Sequence, residues 1–203
     1  MMLTNKELRI IEIFRKKLFE TYTIREISKS VKTTSYSWTF NAVKKLSKLG
    51  ILHLEEKGHS KIVKINLDSV IAIKYLSILD ELEANERNIP NINEIFKLID
   101  TAYFTMIIAG SYAKGTETKR SDLDIVIIAN DDTRSILNTL KNKGGILIPE
   151  VHPYVFTQKE FIEMLLAKEE NYAKLIFKER LIYFGAENYY LIINEAKKHG
   201  FHG

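Results

Sequence analysis

"IIAGSYAKGTETKRSDLDIVII", residues 107–128, is the stretch that decides how this chain is read. It places Gly110-Ser111 after one short apolar run and Ser121-Asp122-Leu123-Asp124 at the head of another. The runs at 103–109 and 123–129 read as strands. Where the first ends, a glycine without Cβ lets backbone amides approach an anion, and Ser111 adds a hydroxyl donor. A short turn from Tyr112 would aim its first amides the same way. Where the second begins, strand alternation puts Asp122 and Asp124 on one face and Leu123 in the core. Two carboxylates facing one solvated site repel each other unless a cation lies between them. Oxygen donors shared with phosphates suit Mg²⁺. A phosphate-cradling turn beside such a pair is what phosphoryl or nucleotidyl transfer needs, with metals stabilising the attacking and leaving oxygens.

The flanking sequence extends the pattern. A helix is expected over 92–100 and another over 131–143, stopped by Gly144-Gly145 and followed by a strand over 146–156. Thr157 caps a last helical region, interrupted near 181–185 by "LIYFG", which reads as a short strand. Tyr172, Phe177, Tyr189 and Tyr190 read as helix packing.

The front of the chain has a different character. Residues 1–67 carry 14 Lys/Arg against 6 Asp/Glu, while the remainder carries 16 against 20. A basic front joined to a mildly acidic remainder implies two tasks, the first near a polyanion. Thr4 caps a helix with Leu8, Ile11, Phe14 and Leu18 at helical spacing, and a second opens after Thr23. A third covers 35–49 with Ala42, Val43, Leu46 and Leu49 inward and Gly50 as its stop. Two β-like runs, 51–54 and 62–65, follow across "EKGHS". Three helices and a hairpin are the order of a winged helix-turn-helix, a superfamily that "VKKLSKLGIL" resembles. In that arrangement Ser35, Tyr36, Ser37, Asn41, Lys44 and Lys45 face outward on the third helix, and the turn offers Lys57, His59 and Lys61. These are the expected contacts to double-stranded DNA. Residues 68–88 read as a further amphipathic helix (Val70, Ile71, Ile73, Leu76, Leu79, Leu82) whose apolar surface serves either a homodimer or packing against its own chain. "NIPN" closes it.

The quoted stretch resembles the signature of the DNA polymerase β-type nucleotidyltransferases, in particular the minimal ones. Gly110, Ser111, Ala113, Gly115, Ser121, Asp122 and Asp124 match the small-family form, Gly-Ser-x-Ala-Arg-Gly and then Ser-Asp-x-Asp. Lys114 stands where Arg is usual, keeping the charge but losing the planar fork. The resemblance covers 92–157 and continues weakly through "LIYFGAENYYLII". It implies that Asp122 and Asp124 are catalytic and bind metal, in a two-metal Mg²⁺ site, and that Gly110, Ser111, Lys114 and Ser121 bind the nucleotide. The family has a third carboxylate on a following strand. Glu150 in "ILIPEVHPYVF" fills that place as a general base, with His152 as its rival.

The expected architecture is therefore α+β with two domains. A winged helix (1–67) leads through a linker helix (68–89) to a small mixed-sheet nucleotidyltransferase core (90–157) with a helical extension (158–203). The resemblance implies an EC 2.7.7-type enzyme transferring AMP from ATP to an acceptor hydroxyl. Minimal family members act as antitoxins that adenylylate a tyrosine of a helical toxin, so a protein acceptor fits. The alternative is a DNA-binding regulator whose back domain only senses nucleotide; modification of a small molecule is a third reading. With no cysteine, disulfides are excluded. The charged N-terminus is no signal peptide, and no apolar stretch is long enough for a bilayer, so the expected place is the cytoplasm.

Overall fold

The computed structural model describes residues 3–33, 35–58 and 60–203. The chain divides into two compact units, one extending to Leu79 and one from Asp80 to Phe201.

The first unit runs α1 (Asn5–Lys16), β1 (Tyr22–Thr23), α2 (Ile24–Ser30), α3 (Tyr36–Lys48), β2 (Leu52–Lys57) and β3 (Ser60–Ile65). Thr4 and Thr23 each cap a helix reciprocally with a glutamate three residues on, Glu7 and Glu26. Ser35 caps α3 by accepting the Trp38 N–H. Ile10, Ile11, Phe14, Ile27, Val43 and Leu46 form the buried face of the three helices. Leu49 does not join that buried face: it is the C-cap of α3 and is 36% exposed. β2 and β3 pair antiparallel from Leu52↔Ile65 to Lys57↔Ser60. The strands therefore run longer than the two apolar patches that mark them in sequence. β1 adds to the far side of β3, giving the order β1-β3-β2. Its two residues are too few to be read from a pattern. His59, expected at the hairpin tip, lies outside the described residues.

α4 (Val70–Glu86) runs through the division between the units. Ala72, Ile73, Leu76 and Ala84 are buried, but Val70, Ile71, Ile78 and Leu82 are exposed. The apolar set expected on one face is thus split over two.

The second unit continues with α5 (Ile92–Lys97), β4 (Phe104–Ile108), α6 (Gly110–Lys114), β5 (Leu123–Ala129) and α7 (Thr133–Thr139), which widens into a π-helical turn, Leu140–Gly144. β6 (Val151–Phe156), α8 (Gln158–Leu166), α9 (Tyr172–Lys178), β7 (Leu181–Phe184) and α10 (Ala186–Lys198) complete it. The sheet order is β6-β5-β4-β7. β4 is antiparallel to β5 and β7, while β5 is parallel to β6. Every residue of β4 is buried, as befits a central strand covered on both faces. One face carries Met106, Ile108, Leu123, Ile125 and Ile127 packed with Ile95, Ile136 and Leu140. α8 and α10 contact the central strands as well.

The strand expected over 146–156 begins only at Val151. Ile146 and Ile148 are solvent-exposed, and Pro149 has no amide to enter a ladder. The short strand expected near 181–185 is β7. No helix among the described residues is long and apolar enough to cross a membrane.

Gly185 joins β7 to α10 at φ +72°, and a Cβ there would lie 2.2 Å from the Phe104 carbonyl oxygen. Its own carbonyl accepts the Thr105 hydroxyl at 2.9 Å. Gly185→Ala is expected to destabilise the protein by about 2–4 kcal/mol, from left-handed strain and overpacking together. Denaturant unfolding of the two proteins measures it.

Candidate active site

The two halves of the quoted motif meet because β4 and β5 are antiparallel neighbours. One residue beyond β4, the Ala109 N–H donates to the Asp124 carbonyl at 3.0 Å. The chain then turns at Gly110, φ +61°, straight into α6, so this helix starts two residues earlier than Tyr112. A Cβ on Gly110 would lie 2.1 Å from Asp124 Oδ2. Only glycine lets that carboxylate rest against the turn. Ser111 follows as the second residue of α6, and Gly115 closes the helix at φ +67°.

Asp122 is exposed, Leu123 is buried and Asp124 is half-buried, the alternation a strand entry imposes. Ser121 Oγ accepts the Thr118 N–H at 2.9 Å, so this oxygen holds the loop that delivers Asp122. Lys114 Nζ is paired with Glu179 Oε2 at 2.9 Å.

Glu150 sits one residue before β6, where its carbonyl accepts the Leu123 N–H at 2.8 Å. This bond ties the start of β6 to the start of β5 and brings Glu150 beside Asp122. Asp122, Glu150 and His152 are all exposed and offer ligand atoms within 4.8 Å of one another. His152 Nε2 is 3.9 Å from Asp122 Oδ2, and His152 pairs with Asp124 in the β5–β6 register. Burial raises the Asp124 carboxyl above its ordinary range; His152 opposes this and the Asp122 charge adds to it. The donor set fits a divalent cation. Three exposed ligand groups converge, and Asp124 is held where added positive charge would offset both its lost solvation and the Asp122 charge.

Two tyrosines complete this surface. Tyr154, two residues beyond His152 on β6, packs against Tyr172 with the rings tilted by 38° and 4.5 Å between centroids. With Ala109, Gly110, Lys114, Asp124, Leu175, Ile176 and Glu179 they line a cavity of about 160 Å³. Burial, and after it the Asp124 charge, pushes the Tyr172 hydroxyl well above its usual range. Tyr172 is therefore not simple helix packing. Tyr189 and Tyr190 are fully buried in α10 with Arg180 over their rings, and Phe177, partly buried, is edge-on to Phe201. The period-2 step from His152 to Tyr154 was the available signal for Tyr154. Nothing local marks Tyr172 or Glu179, which arrive from α9 and the residue after it.

In the first unit Ser35, Tyr36, Ser37, Asn41 and Lys44 are exposed at α3. Lys45 is not free to face outward: its Nζ bonds to Glu7 Oε1 at 2.7 Å, satisfying a buried carboxylate. Lys61 Nζ lies 4.4 Å from the Phe40 ring centroid and 3.3 Å from Glu56 Oε1. A cleft of about 410 Å³ is lined by Thr23, Ile24, Arg25, Tyr36, Ser60 and Lys61. It adds Arg25, which the sequence did not single out.

A glycine turn at a helix start, set against an acidic strand entry in a mixed sheet, is the equipment of a phosphate-handling transferase. Residues 89–184 match the family model of the nucleotidyltransferase domain, from just beyond α4 through β7. The match supports a transferase that moves a nucleoside monophosphate from a nucleoside triphosphate. No curated protein and no solved structure matches the chain.

The raised Asp124 carboxyl has a thermodynamic consequence. A carboxyl whose folded pKa lies above its unfolded value binds its proton more tightly when folded, so its ionisation costs stability as pH rises through the folded value. Asp124→Asn is expected to melt above the native protein at neutral pH without divalent cations. The gap should close as pH falls toward the ordinary aspartate range of about 4. Thermal unfolding across pH checks this.

Proposed function

We propose that the second unit transfers AMP from ATP to an acceptor hydroxyl and releases pyrophosphate. The observation that supports this reading is the contact of the Gly110 turn with Asp124, which sets a glycine turn at a helix start against one carboxylate of the Asp-Leu-Asp entry. In the transfer, the acceptor oxygen forms a bond to the α-phosphorus and the bond to the β-phosphate oxygen breaks. The acceptor proton passes to Glu150, whose exposed carboxylate lies beside Asp122. The Gly110 and Ser111 amides and the Ser111 hydroxyl hold the departing phosphates. Lys114 exchanges Glu179 for a phosphate oxygen. The Tyr154–Tyr172 pair gives the cavity an aromatic wall against which a base or an aromatic acceptor can stack. Asp122, Asp124 and Glu150 would hold Mg²⁺, which when bound polarises the phosphoryl oxygens and stabilises the developing charge. Ser121 acts through the loop, keeping Asp122 in place. A tyrosine hydroxyl of a partner protein is the acceptor class we favour, in keeping with the minimal-family resemblance.

The first unit is, in this proposal, a winged helix that binds double-stranded DNA. Its element order, its basic balance and the exposed Tyr36, Ser37, Asn41 and Lys44 support that reading, with Arg25 and Lys61 for phosphates and Ser35 as the cap that fixes the helix start. Lys45 serves the fold through Glu7.

With Mg²⁺, α-labelled ATP and cell extract, the native protein is expected to yield a labelled product. Asp122→Ala and Asp124→Ala should lower the yield by at least about a hundredfold, a loss of the size seen when charge stabilisation is removed. Equal silence from native protein and variants would remove the enzymatic reading. Binding to random duplex DNA should weaken steeply with salt, and Lys44→Ala should lessen that slope by about one. A shallow, unchanged slope would assign the first unit to protein contacts.

A further inference from the structure

We infer that His152 supplies a nitrogen ligand to the cation held by Asp122 and Glu150, and that this donor makes the site select manganese over magnesium. The inference rests on the reading of this cluster as the cation site of a transferase.

The first support is placement. His152 faces out of β6, paired with Asp124 across the parallel ladder, and Glu150 stands two residues before it. A two-residue step returns a side chain to the same side, so the carboxylate and the imidazole reach toward Asp122 together. The bond from the Leu123 N–H to the Glu150 carbonyl locks this register.

The second support is distance. At 3.9 Å, His152 Nε2 and Asp122 Oδ2 are too far apart for a hydrogen bond. Two ligands each about 2.1 Å from one ion stand roughly 3–4 Å apart, so the observed gap leaves room for an ion between them. The Glu150 carboxylate lies within the same 4.8 Å limit, and a small rotation of three exposed side chains closes the set.

The third is donor chemistry. Mg²⁺ is hard, keeps its water and takes oxygen ligands, and an imidazole adds little to its binding. Mn²⁺ accepts carboxylates as readily and also binds imidazole nitrogen. Replacing one oxygen donor of the site by His152 therefore shifts preference toward Mn²⁺. The rival role for His152 is proton transfer to or from the acceptor, which requires no metal–nitrogen bond.

The test uses the full chain without nucleotide. Mn²⁺ and Mg²⁺ are titrated calorimetrically into the native protein and into His152→Gln, which puts an amide oxygen where the nitrogen was. The native protein should favour Mn²⁺, and the variant should lose roughly tenfold in Mn²⁺ affinity while Mg²⁺ affinity stays within about twofold. Pulsed EPR of bound Mn²⁺ should reveal coupling to a directly bound nitrogen in the native protein and none in the variant. An absent nitrogen signal in the native protein, or an unchanged metal preference in the variant, overturns the inference. If activity then still depends on His152, the proton-transfer role stands instead. Nitrogen coupling without any Asp122-dependent labelling would sink the transferase reading and leave this one intact.

Discussion

The antiparallel pairing of β4 with β5 is the constraint on which the site depends. It turns a separation of fourteen positions, Gly110 to Asp124, into direct contact between a glycine turn and a carboxylate. The Ala109–Asp124 backbone bond extends the ladder to the very residue where the chain must turn. Gly110 then satisfies two demands together: a left-handed φ and the absence of a Cβ where Asp124 Oδ2 rests. The loop between the strands is anchored at its far end by the Thr118–Ser121 bond. Neither half of the motif would be a site without this pairing.

Electrostatics builds outward from that contact. Asp124 is drawn into a partly desolvated position and feels the charge of Asp122, while Glu150 and His152 arrive from the parallel strand on the other side. Negative charge is thus concentrated where β5 begins, at a cost in folding stability that a bound cation would offset. The aromatic wall of Tyr154 and Tyr172 borders the same place, and the Asp124 charge helps to keep the Tyr172 hydroxyl protonated. The arrangement sets concentrated negative charge beside a pair of aromatic rings.

Much of this was legible in the sequence because the signals were local. Thr4, Thr23 and Thr157 declare helix starts through capping boxes with Glu7, Glu26 and Glu160. β5 declares itself by an unbroken apolar run after an Asp-Leu-Asp entry. What escaped depends on chain segments far apart. Lys45, half-buried, is held by the buried carboxylate of Glu7, thirty-eight residues away. Tyr172 and Glu179 reach the site from α9 and just beyond it, and no spacing links them to Gly110. The run 146–150 reads as strand by composition, yet Pro149 and the π-helical turn before it leave the ladder to start at Val151. Local chemistry names the elements, and packing decides which faces meet.

Pro153 follows His152 on β6, the outermost strand on its side of the sheet. A proline there withholds a backbone donor from any strand that approaches from outside. The margin of the molecule bearing Glu150 and His152 is thereby a poor template for cross-chain β-addition. A strand of another chain that reached this rim would find no continuous ladder to join.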